Sequence, residues 1–282
     1  GLTSIGLRWS NRRSSCFVRA KSSMAGPAAT TKSKVEINVF ESEEDLAVSL
    51  ADYTADLSKK VCGERDSFTV VLSGGSLVKS LRKLVETPAL FESVDWAKWH
   101  VFWVDERVVK KDHPDSNYLL AHTQFLSKVP IPSSNVYAIN DSLSAEGAAD
   151  EYEATIKHLV NTEVIRRSGT GGGLPKFDLI LLGMGPDGHV ASLFPDHRLL
   201  GEDEKWVSHI GDSPKPPPER ITFTLPVINS AADVAVVVVG SGKADAVSAA
   251  LGDLPVLLPV KLVSPTEGGV SWFLDKGAAS KL

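Results

Sequence analysis

The strongest constraint on this chain is a regular alternation of short apolar runs with segments of helical periodicity, which begins at residue 35 and continues almost to the end. Runs such as 68–72 and 177–182 are almost wholly apolar, as expected of strands that are covered on both faces. Strands and helices that alternate in this way are joined by right-handed crossovers. We therefore predict one α/β domain over residues 35–279, a single three-layer α/β/α Rossmann-like domain with a mostly parallel sheet.

The bounds of the predicted elements follow from apolar runs, capping residues and glycines. Ser42, with Asp45 three residues later, indicates the start of the first helix, and Gly63 indicates its end. Predicted helices cover 42–63, 77–85, 116–126 and 145–166, and predicted strands cover 35–40, 68–72, 99–104, 136–139, 177–182, 206–210, 221–225, 234–239 and 270–274.

Charge is distributed unevenly, because residues 1–34 contain seven Lys or Arg, seven Ser and no acidic residue. Without them the chain has 23 basic and 35 acidic residues, a net charge of −12 compared with −5 for the whole. We interpret residues 1–34 as a disordered transit segment for import into a plastid or mitochondrion, and a disordered basic tail is the alternative. The acidic remainder argues against a nucleic-acid partner, and no apolar run approaches the roughly 20 residues of a membrane span.

The last three residues, Ser280, Lys281 and Leu282, match the peroxisomal address. With the transit segment they predict dual targeting to the plastid (chloroplast stroma) and the peroxisome, with organelle import receptors as partners. Cys62 is the one cysteine after residue 34, so no disulfide is expected within the mature chain. The sequence makes no prediction of oligomeric state.

Ligands of such sheets bind beyond the carboxyl ends of the strands, so the loops that follow strands are the first candidates for a site. Ser73, Gly74, Gly75 and Ser76 follow one strand and lead into a predicted helix, where small residues let backbone N–H groups approach an anion. An ordinary strand-to-helix turn is the alternative.

Three charged residues, Asp105, Glu106 and Arg107, follow the strand predicted over 99–104. Charges that abut a buried strand in this way are more often functional than a random surface triplet, and a structural salt bridge is the alternative. We interpret the polar stretch 112–117 mainly as a turn and a helix cap.

The stretch 183–195 contains the strongest chemical signal. Its first six residues satisfy G-x-G-x-x-G, but Pro195 follows Gly188 too closely for a crossover helix, so we reject dinucleotide binding. What remains is an Asp two residues before a His in a glycine-rich loop, where the carboxylate can orient the imidazole or raise its pKa. We therefore predict that Asp187 and His189 are functional.

Two further cations are candidates for binding a phosphate. Lys243 ends a Gly-Ser-Gly-Lys turn before a helix, although Ala244 excludes a P-loop. Arg220 lies between a strand and the proline run 214–218, which we predict to be a stiff surface crossing. No His or Cys spacing suits a metal ion.

In this order and spacing, strand-SGGS-helix, strand-DER, strand-GMGPDGHVASLFP, RITFT and GSGKA resemble the 6-phosphogluconolactonase family and, more distantly, the glucosamine-6-phosphate deaminases. The resemblance covers about residues 35–275, and the G-x-G-x-D-G-H-x-A-S-L-F-P element is highly specific. It implies hydrolysis of 6-phosphoglucono-δ-lactone to 6-phosphogluconate, the second step of the oxidative pentose phosphate pathway, without a metal or an organic cofactor. The small-molecule partner it implies is a phosphosugar lactone.

The resemblance also implies roles for the candidate residues. His189 would be the general base that activates water and then the acid that protonates the departing ring oxygen, and Asp187 would position the sugar or the imidazole. Arg107 would reach the phosphate or the oxyanion. The family's phosphate-holding positions match Ser73, Gly74, Gly75, Ser76, Arg220 and Lys243.

Two other functions are alternatives. A deaminase would carry a Glu where Phe194 stands and a Tyr where Arg107 stands, so both residues disfavour it. A non-catalytic sugar-phosphate sensor would carry a helix-turn-helix or lack the Asp-Gly-His element, and neither applies to this sequence.

Overall fold

The computed structural model describes residues 16–18, 34–169, 173–253 and 255–282. The predicted transit segment lies outside these residues, except for Cys16–Val18 and Lys34, which belong to strands. No described helix has the length and apolar character needed to cross a membrane. In chain order the elements are β1 (Cys16–Val18), β2 (Lys34–Phe40), α1 (Glu43–Glu64), β3 (Phe68–Leu72), α2 (Ser76–Ser80), α3 (Lys83–Glu86), α4 (Pro88–Ser93), β4 (Trp99–Trp103), β5 (Asp105–Arg107), α5 (Asn117–Gln124), α6 (Ala145–Asn161), β6 (Arg166–Arg167), β7 (Pro175–Lys176), β8 (Leu179–Gly183), β9 (Val207–Ile210), β10 (Arg220–Phe223), α7 (Leu225–Asn229), β11 (Asp233–Val238), α8 (Ala244–Leu251) and β12 (Gly269–Asp275).

The main sheet confirms the predicted α/β fold. Strands β2, β12, β11, β8, β3 and β4 lie side by side in this order and run parallel, and β1 pairs antiparallel with β2 at one edge. The chain moves outward from β3 to β4 on one side and from β8 through β11 to β12 on the other. The strand order therefore reverses between β3 and β8, and this reversal is where an open α/β sheet forms a ligand crevice.

Strand β8 shows why the sheet is buried on both faces. Its alternate residues Ile180 and Leu182 pack with α6, α7 and α8, while Leu179 and Leu181 pack with α1, α2 and α5, and all four are fully buried. A strand covered on both sides loses the polar and apolar alternation of a half-exposed strand, which is why 177–182 reads as a continuous apolar run.

Two predicted strands form but do not join the main sheet. Strands β9 and β10 pair antiparallel with each other, and β10 pairs antiparallel with β5, so the three strands form a separate sheet. Between β8 and β9 the chain forms only a 3-10 turn, at Arg198–Gly201, and lacks the helix that usually returns a chain to a parallel position. The residues predicted as a charged loop, Asp105 to Arg107, are the edge strand β5 of this sheet.

The prediction of a strand over 136–139 is wrong, because only Val136 forms a bridge, with Val101 of β4. Tyr152 explains why the pairing stops there. Its hydroxyl accepts a hydrogen bond from the Trp103 N–H (3.0 Å) and donates one to the Tyr137 carbonyl (2.8 Å). The buried side chain thus lies between the two backbones and takes the place of the next ladder bond.

The predicted first residues of the helices agree closely with the structure, and the predicted last residues agree less well. Ser42 caps α1 through its Oγ, which accepts the Asp45 N–H, as the capping pattern predicts. The helix predicted to reach residue 166 ends at Asn161, because Glu163 has a φ of +63°, a left-handed conformation that cannot continue a helix. The helix predicted over 77–85 is divided into α2 and α3.

Candidate active site

A cavity of about 380 Å³ opens at the carboxyl ends of β3, β8 and β11, beside the point where the strand order reverses. Its walls bring together loops that are up to 170 residues apart in the chain, as expected of a crevice built from the ends of parallel strands. Eight of the nine predicted site residues line it, namely Ser73, Gly74, Gly75, Ser76, Arg107, His189, Arg220 and Lys243, and the ninth, Asp187, contacts His189.

Asp187 and His189 form a close pair in the loop after β8. The carboxylate Oδ1 lies 2.5 Å from the imidazole Nδ1, and the ring packs at 4.8 Å against the Phe194 ring. The backbone between them turns at Gly188, whose φ of +77° favours glycine, and the Gly185 N–H donates to the His189 carbonyl at 2.9 Å. A hydrogen bond from Nδ1–H to the carboxylate leaves Nε2 as the basic nitrogen of the ring.

The two pKa values of this pair are displaced by identifiable causes. Burial lowers the pKa of His189 by penalising the imidazolium, and this effect outweighs the opposing effect of the Asp187 carboxylate. Burial would raise the pKa of Asp187, but its hydrogen bonds to His189 and Lys215 outweigh burial and lower that pKa to about 2. At neutral pH the pair is therefore a carboxylate beside a neutral imidazole, the protonation state of a general base.

Lys215 belongs to the site, and the sequence did not identify it. Its Nζ lies 3.1 Å from Asp187 Oδ1 and 3.2 Å from His189 Nδ1. The run 214–218 was predicted to be a stiff surface crossing, and Lys215 within it lines the cavity instead. A lysine enclosed by prolines was the one signal that could have drawn attention to it.

The Ser73 to Ser76 loop faces the pair from the end of β3. A Cβ at Gly74 would lie 2.1 Å from Asn117 Oδ1, so glycine is needed there for the loop to pack against α5. Ser73 Oγ and Arg107 Nε are buried and have no hydrogen-bond partner among the residues that the structure describes. Unsatisfied donors of this kind in a cavity wall are expected to bind a ligand or water.

Glu106, the middle residue of β5, fixes the backbone on the side of the cavity that Arg107 lines. Its carboxylate accepts hydrogen bonds from the N–H groups of Arg107 (2.7 Å), Asn117 (2.8 Å) and Tyr118 (2.7 Å), and so fixes the start of α5. Burial raises the pKa of Glu106 to about 7 in spite of these bonds. Glu106 is thus a structural member of the predicted charged triplet, whereas Asp105 lines the cavity and accepts a hydrogen bond from Ser192 Oγ at 2.8 Å.

Arg220 and Lys243 line the cavity with most of their donors already engaged. Arg220 donates from Nη2 to the Lys215 carbonyl (2.8 Å) and from Nε to the Pro217 carbonyl (3.0 Å), while Nη1 makes a long contact of 3.4 Å with Ser192 Oγ. Lys243 Nζ donates to the Met184 carbonyl at 2.6 Å, and burial lowers its pKa. Each keeps part of its hydrogen-bonding capacity for a ligand.

A cation-lined crevice at the strand reversal of a parallel sheet is the kind of site at which α/β proteins bind small anionic ligands. The family described as glucosamine-6-phosphate isomerases/6-phosphogluconolactonase matches residues 41–272 of the chain. The chain belongs to this family.

Within the family the similarity is to 6-phosphogluconolactonases. A protein of Arabidopsis thaliana named "6-phosphogluconolactonase 3, chloroplastic" is 60% identical over 281 residues, which cover 100% of this chain and 85% of the relative. A "Probable 6-phosphogluconolactonase 4, chloroplastic" of Oryza sativa subsp. indica is 64% identical over 88% of this chain and 76% of the relative.

Solved structures agree with the fold. A 6-phosphogluconolactonase from Thermotoga maritima matches with a TM-score of 0.72 and 30% identity, over 86% of this chain and 100% of that one. A 6-phosphogluconolactonase from Trypanosoma brucei matches with a TM-score of 0.74 and 29% identity, over 87% and 98%. A glucosamine-6-phosphate deaminase matches with a TM-score of 0.68 at 19% identity, which shows the shared fold alone.

Among the described residues no group of three or more His, Cys, Asp or Glu side chains is arranged to hold a metal ion. The chemistry available in the cavity is that of a half-buried imidazole with its carboxylate, surrounded by cations and by unsatisfied donors. This combination can activate water and bind an anion.

Proposed function

We propose that this chain hydrolyses 6-phosphoglucono-δ-lactone to 6-phosphogluconate, in the oxidative pentose phosphate pathway. The observation that carries the proposal is the Asp187–His189 pair, which is held at 2.5 Å and opens into a cavity with Arg107, Lys215, Arg220 and Lys243 in its walls. The names of the plant relatives support the same substrate.

The reaction needs a base and then an acid. Nε2 of neutral His189 takes a proton from a water molecule while the water oxygen bonds to the lactone carbonyl carbon. The bond from that carbon to the ring oxygen then breaks, and the imidazolium returns the proton to the ring oxygen. Asp187 holds Nδ1–H throughout, so the ring keeps one tautomer, and proton transfer by such a pair contributes about 10²- to 10⁴-fold.

The phosphate of the substrate would bind at the opposite side of the cavity. Ser73 Oγ and Arg107 Nε are the buried donors without partners there, and Gly74, Gly75 and Ser76 bring backbone N–H groups to the same wall. Lys243 and the Nη1 group of Arg220 add positive charge. A phosphate dianion satisfies such donors better than water does because its hydrogen bonds are charge-assisted.

The surroundings of His189 favour the lactonase over the deaminase. The ring of Phe194, fully buried, packs against the imidazole at the position where a deaminase would carry its Glu. A carboxylate for opening an aminosugar ring is therefore missing from that position.

The direct test is to supply freshly generated 6-phosphoglucono-δ-lactone and to follow 6-phosphogluconate with its dehydrogenase, after correction for spontaneous hydrolysis. Unphosphorylated glucono-δ-lactone is the matched control, and we expect its kcat/KM to be lower by roughly a hundredfold or more, because the donors of the phosphate site stay unpaired. No acceleration above background by the folded protein would refute the lactonase, and ammonia release from glucosamine 6-phosphate would then identify a deaminase.

We further propose that the protein acts in the plastid and, through Ser280, Lys281 and Leu282, also in the peroxisome. The names of the relatives support the plastid, and the tripeptide is the motif for the peroxisome. A fluorescent protein fused before residue 1 should enter peroxisomes, and one fused after residue 282 should enter plastids. Exclusion of the first fusion from peroxisomes would contradict dual targeting.

A further inference from the structure

Lys215 approaches the catalytic pair from the side that does not face the reacting nitrogen. Its Nζ is 3.1 Å from Asp187 Oδ1 and 3.2 Å from His189 Nδ1. An ammonium and an Nδ1–H group are both donors, so they cannot bond to each other, and they share the single acceptor Oδ1. The contact between Lys215 and the imidazole is therefore electrostatic, and it becomes repulsive when the ring is protonated.

The position of Lys215 is set by its loop. Ser213 Oγ accepts the Lys215 N–H at 3.2 Å and donates to the Lys215 carbonyl at 2.8 Å. The Nη2 group of buried Arg220 donates to the same carbonyl and to that of Pro216. A backbone fixed by several bonds and by neighbouring prolines reduces the entropy cost of holding a lysine side chain at one place.

The charges around His189 come from several elements. Asp187, in the same loop, and Asp105, on β5, favour the imidazolium, whereas Lys215 disfavours it. Lys243, at the start of α8, interacts with Lys215 and Asp187. Removal of Lys215 alone would leave two carboxylates facing the ring, with Lys243 as the remaining lysine in the cavity lining.

We propose that Lys215 is a positioning residue that keeps His189 neutral before the reaction and makes the imidazolium a stronger acid after it. The inference rests on the proposed lactone hydrolysis. While His189 Nε2 carries the proton taken from water, two cations share Asp187 Oδ1, and the charge is relieved when the proton passes to the ring oxygen. Lys215 gives up no proton in this cycle.

Histidine NMR titration and the pH dependence of the rate test the proposal together. The full chain would be labelled at histidine, and the His189 signal assigned by its loss in His189→Gln. In Lys215→Met and Lys215→Gln we expect the His189 midpoint to move to higher pH, because a neighbouring cation has been removed. Lys215→Arg should stay close to the unmodified protein, and so should the control Lys128→Met, which removes an exposed lysine outside the cavity.

The kinetic expectation is a loss that depends on pH. Lys215→Met should lose roughly tenfold in kcat/KM at pH 6 and less than about threefold at pH 7.5, because a larger fraction of its His189 is protonated at the lower pH. An unchanged His189 midpoint in folded Lys215→Met and Lys215→Gln would overturn the proposal. A rise in KM that is equal at every pH would also overturn it and make Lys215 a substrate-binding residue.

Failure of the proposed function would be distinguishable from failure of this inference. The NMR titration needs no substrate, so a protein without lactonase activity would refute the reaction while the titration still reports on Lys215.

Discussion

Gly185 controls how closely Asp187 and His189 approach each other. A Cβ at this position would lie 2.0 Å from His189 Nδ1 and 2.6 Å from Asp187 Oδ1, far inside van der Waals contact. The glycine at position 185 of the 183–188 loop is thus required by the side chains that pack over it, and not by a dinucleotide that approaches the backbone.

Gly185→Ala should therefore disable the pair without unfolding the domain. We expect kcat to fall about 10²-fold or more, since the imidazole must leave the carboxylate to make room. Gly211→Ala is the matched control, because a Cβ there meets nothing within 4 Å. Equal activities of the two variants, with circular dichroism confirming the fold, would contradict this geometry.

The pH dependence of the rate is the second prediction at this scale. His189 must be neutral to accept a proton, and burial lowers its pKa, so kcat/KM should be level near pH 7.5 and fall as the pH drops through a midpoint below the ordinary 6.5. The measurement is kcat/KM between pH 5 and 7.5, corrected for spontaneous hydrolysis. A midpoint above 7 would show that the Asp187 carboxylate outweighs burial.

The residues of the site could be predicted from sequence only where a motif carried them. Asp187 and His189 stand in a recognisable loop, and their contact follows from their spacing of two. Lys215 is 26 residues beyond His189, and its contact depends on how Arg220 anchors the proline loop to β10. A long-range contact of this kind leaves no periodic or local signal in a single sequence.

Among the elements, Tyr152 determines where the main sheet ends. The apolar run 136–139 has the composition of a strand, but the hydroxyl of Tyr152 on α6 occupies the hydrogen-bonding position next to β4. Prediction from local composition failed here because a side chain from another element satisfies the edge of the sheet. The same limit applies to β9 and β10, whose residues favour strands but do not specify which sheet they join.

Tyr152→Phe should destabilise the domain by about 1 to 3 kcal/mol, because it leaves the buried Trp103 N–H without its acceptor. Urea unfolding followed by tryptophan fluorescence measures the change. Tyr118→Phe, at a half-buried ring that stacks on His122, is the control and should change stability by less than about 0.5 kcal/mol. A loss of stability in Tyr152→Phe that is as small as the loss expected of the control would show that the bridge between β4 and 136–139 contributes nothing to stability.

At the scale of the whole molecule, a cationic cavity lies in an acidic protein. Residues 35–282 contain 23 Lys or Arg and 35 Asp or Glu, a net charge of −12. The lysines and arginines of the cavity are therefore a local exception, and field lines from a crevice of this kind concentrate an anionic substrate.

Salt should weaken this attraction. We expect kcat/KM for the phosphorylated lactone to fall several-fold between about 20 and 300 mM NaCl while kcat stays nearly constant, because screening acts on encounter and not on proton transfer. Glucono-δ-lactone, which has no charge, is the control substrate and should show no such decrease. A parallel decline for both lactones would instead indicate a general effect of salt on the protein.

The central claim is that His189, held by Asp187, is the base that hydrolyses the lactone. The most direct measurement compares kcat of the full chain and of His189→Gln on freshly generated 6-phosphoglucono-δ-lactone, with both proteins shown to be folded. The account predicts a loss of about 10²- to 10⁴-fold in the variant with little change in KM. A folded His189→Gln protein that retains more than about a tenth of the activity would contradict it.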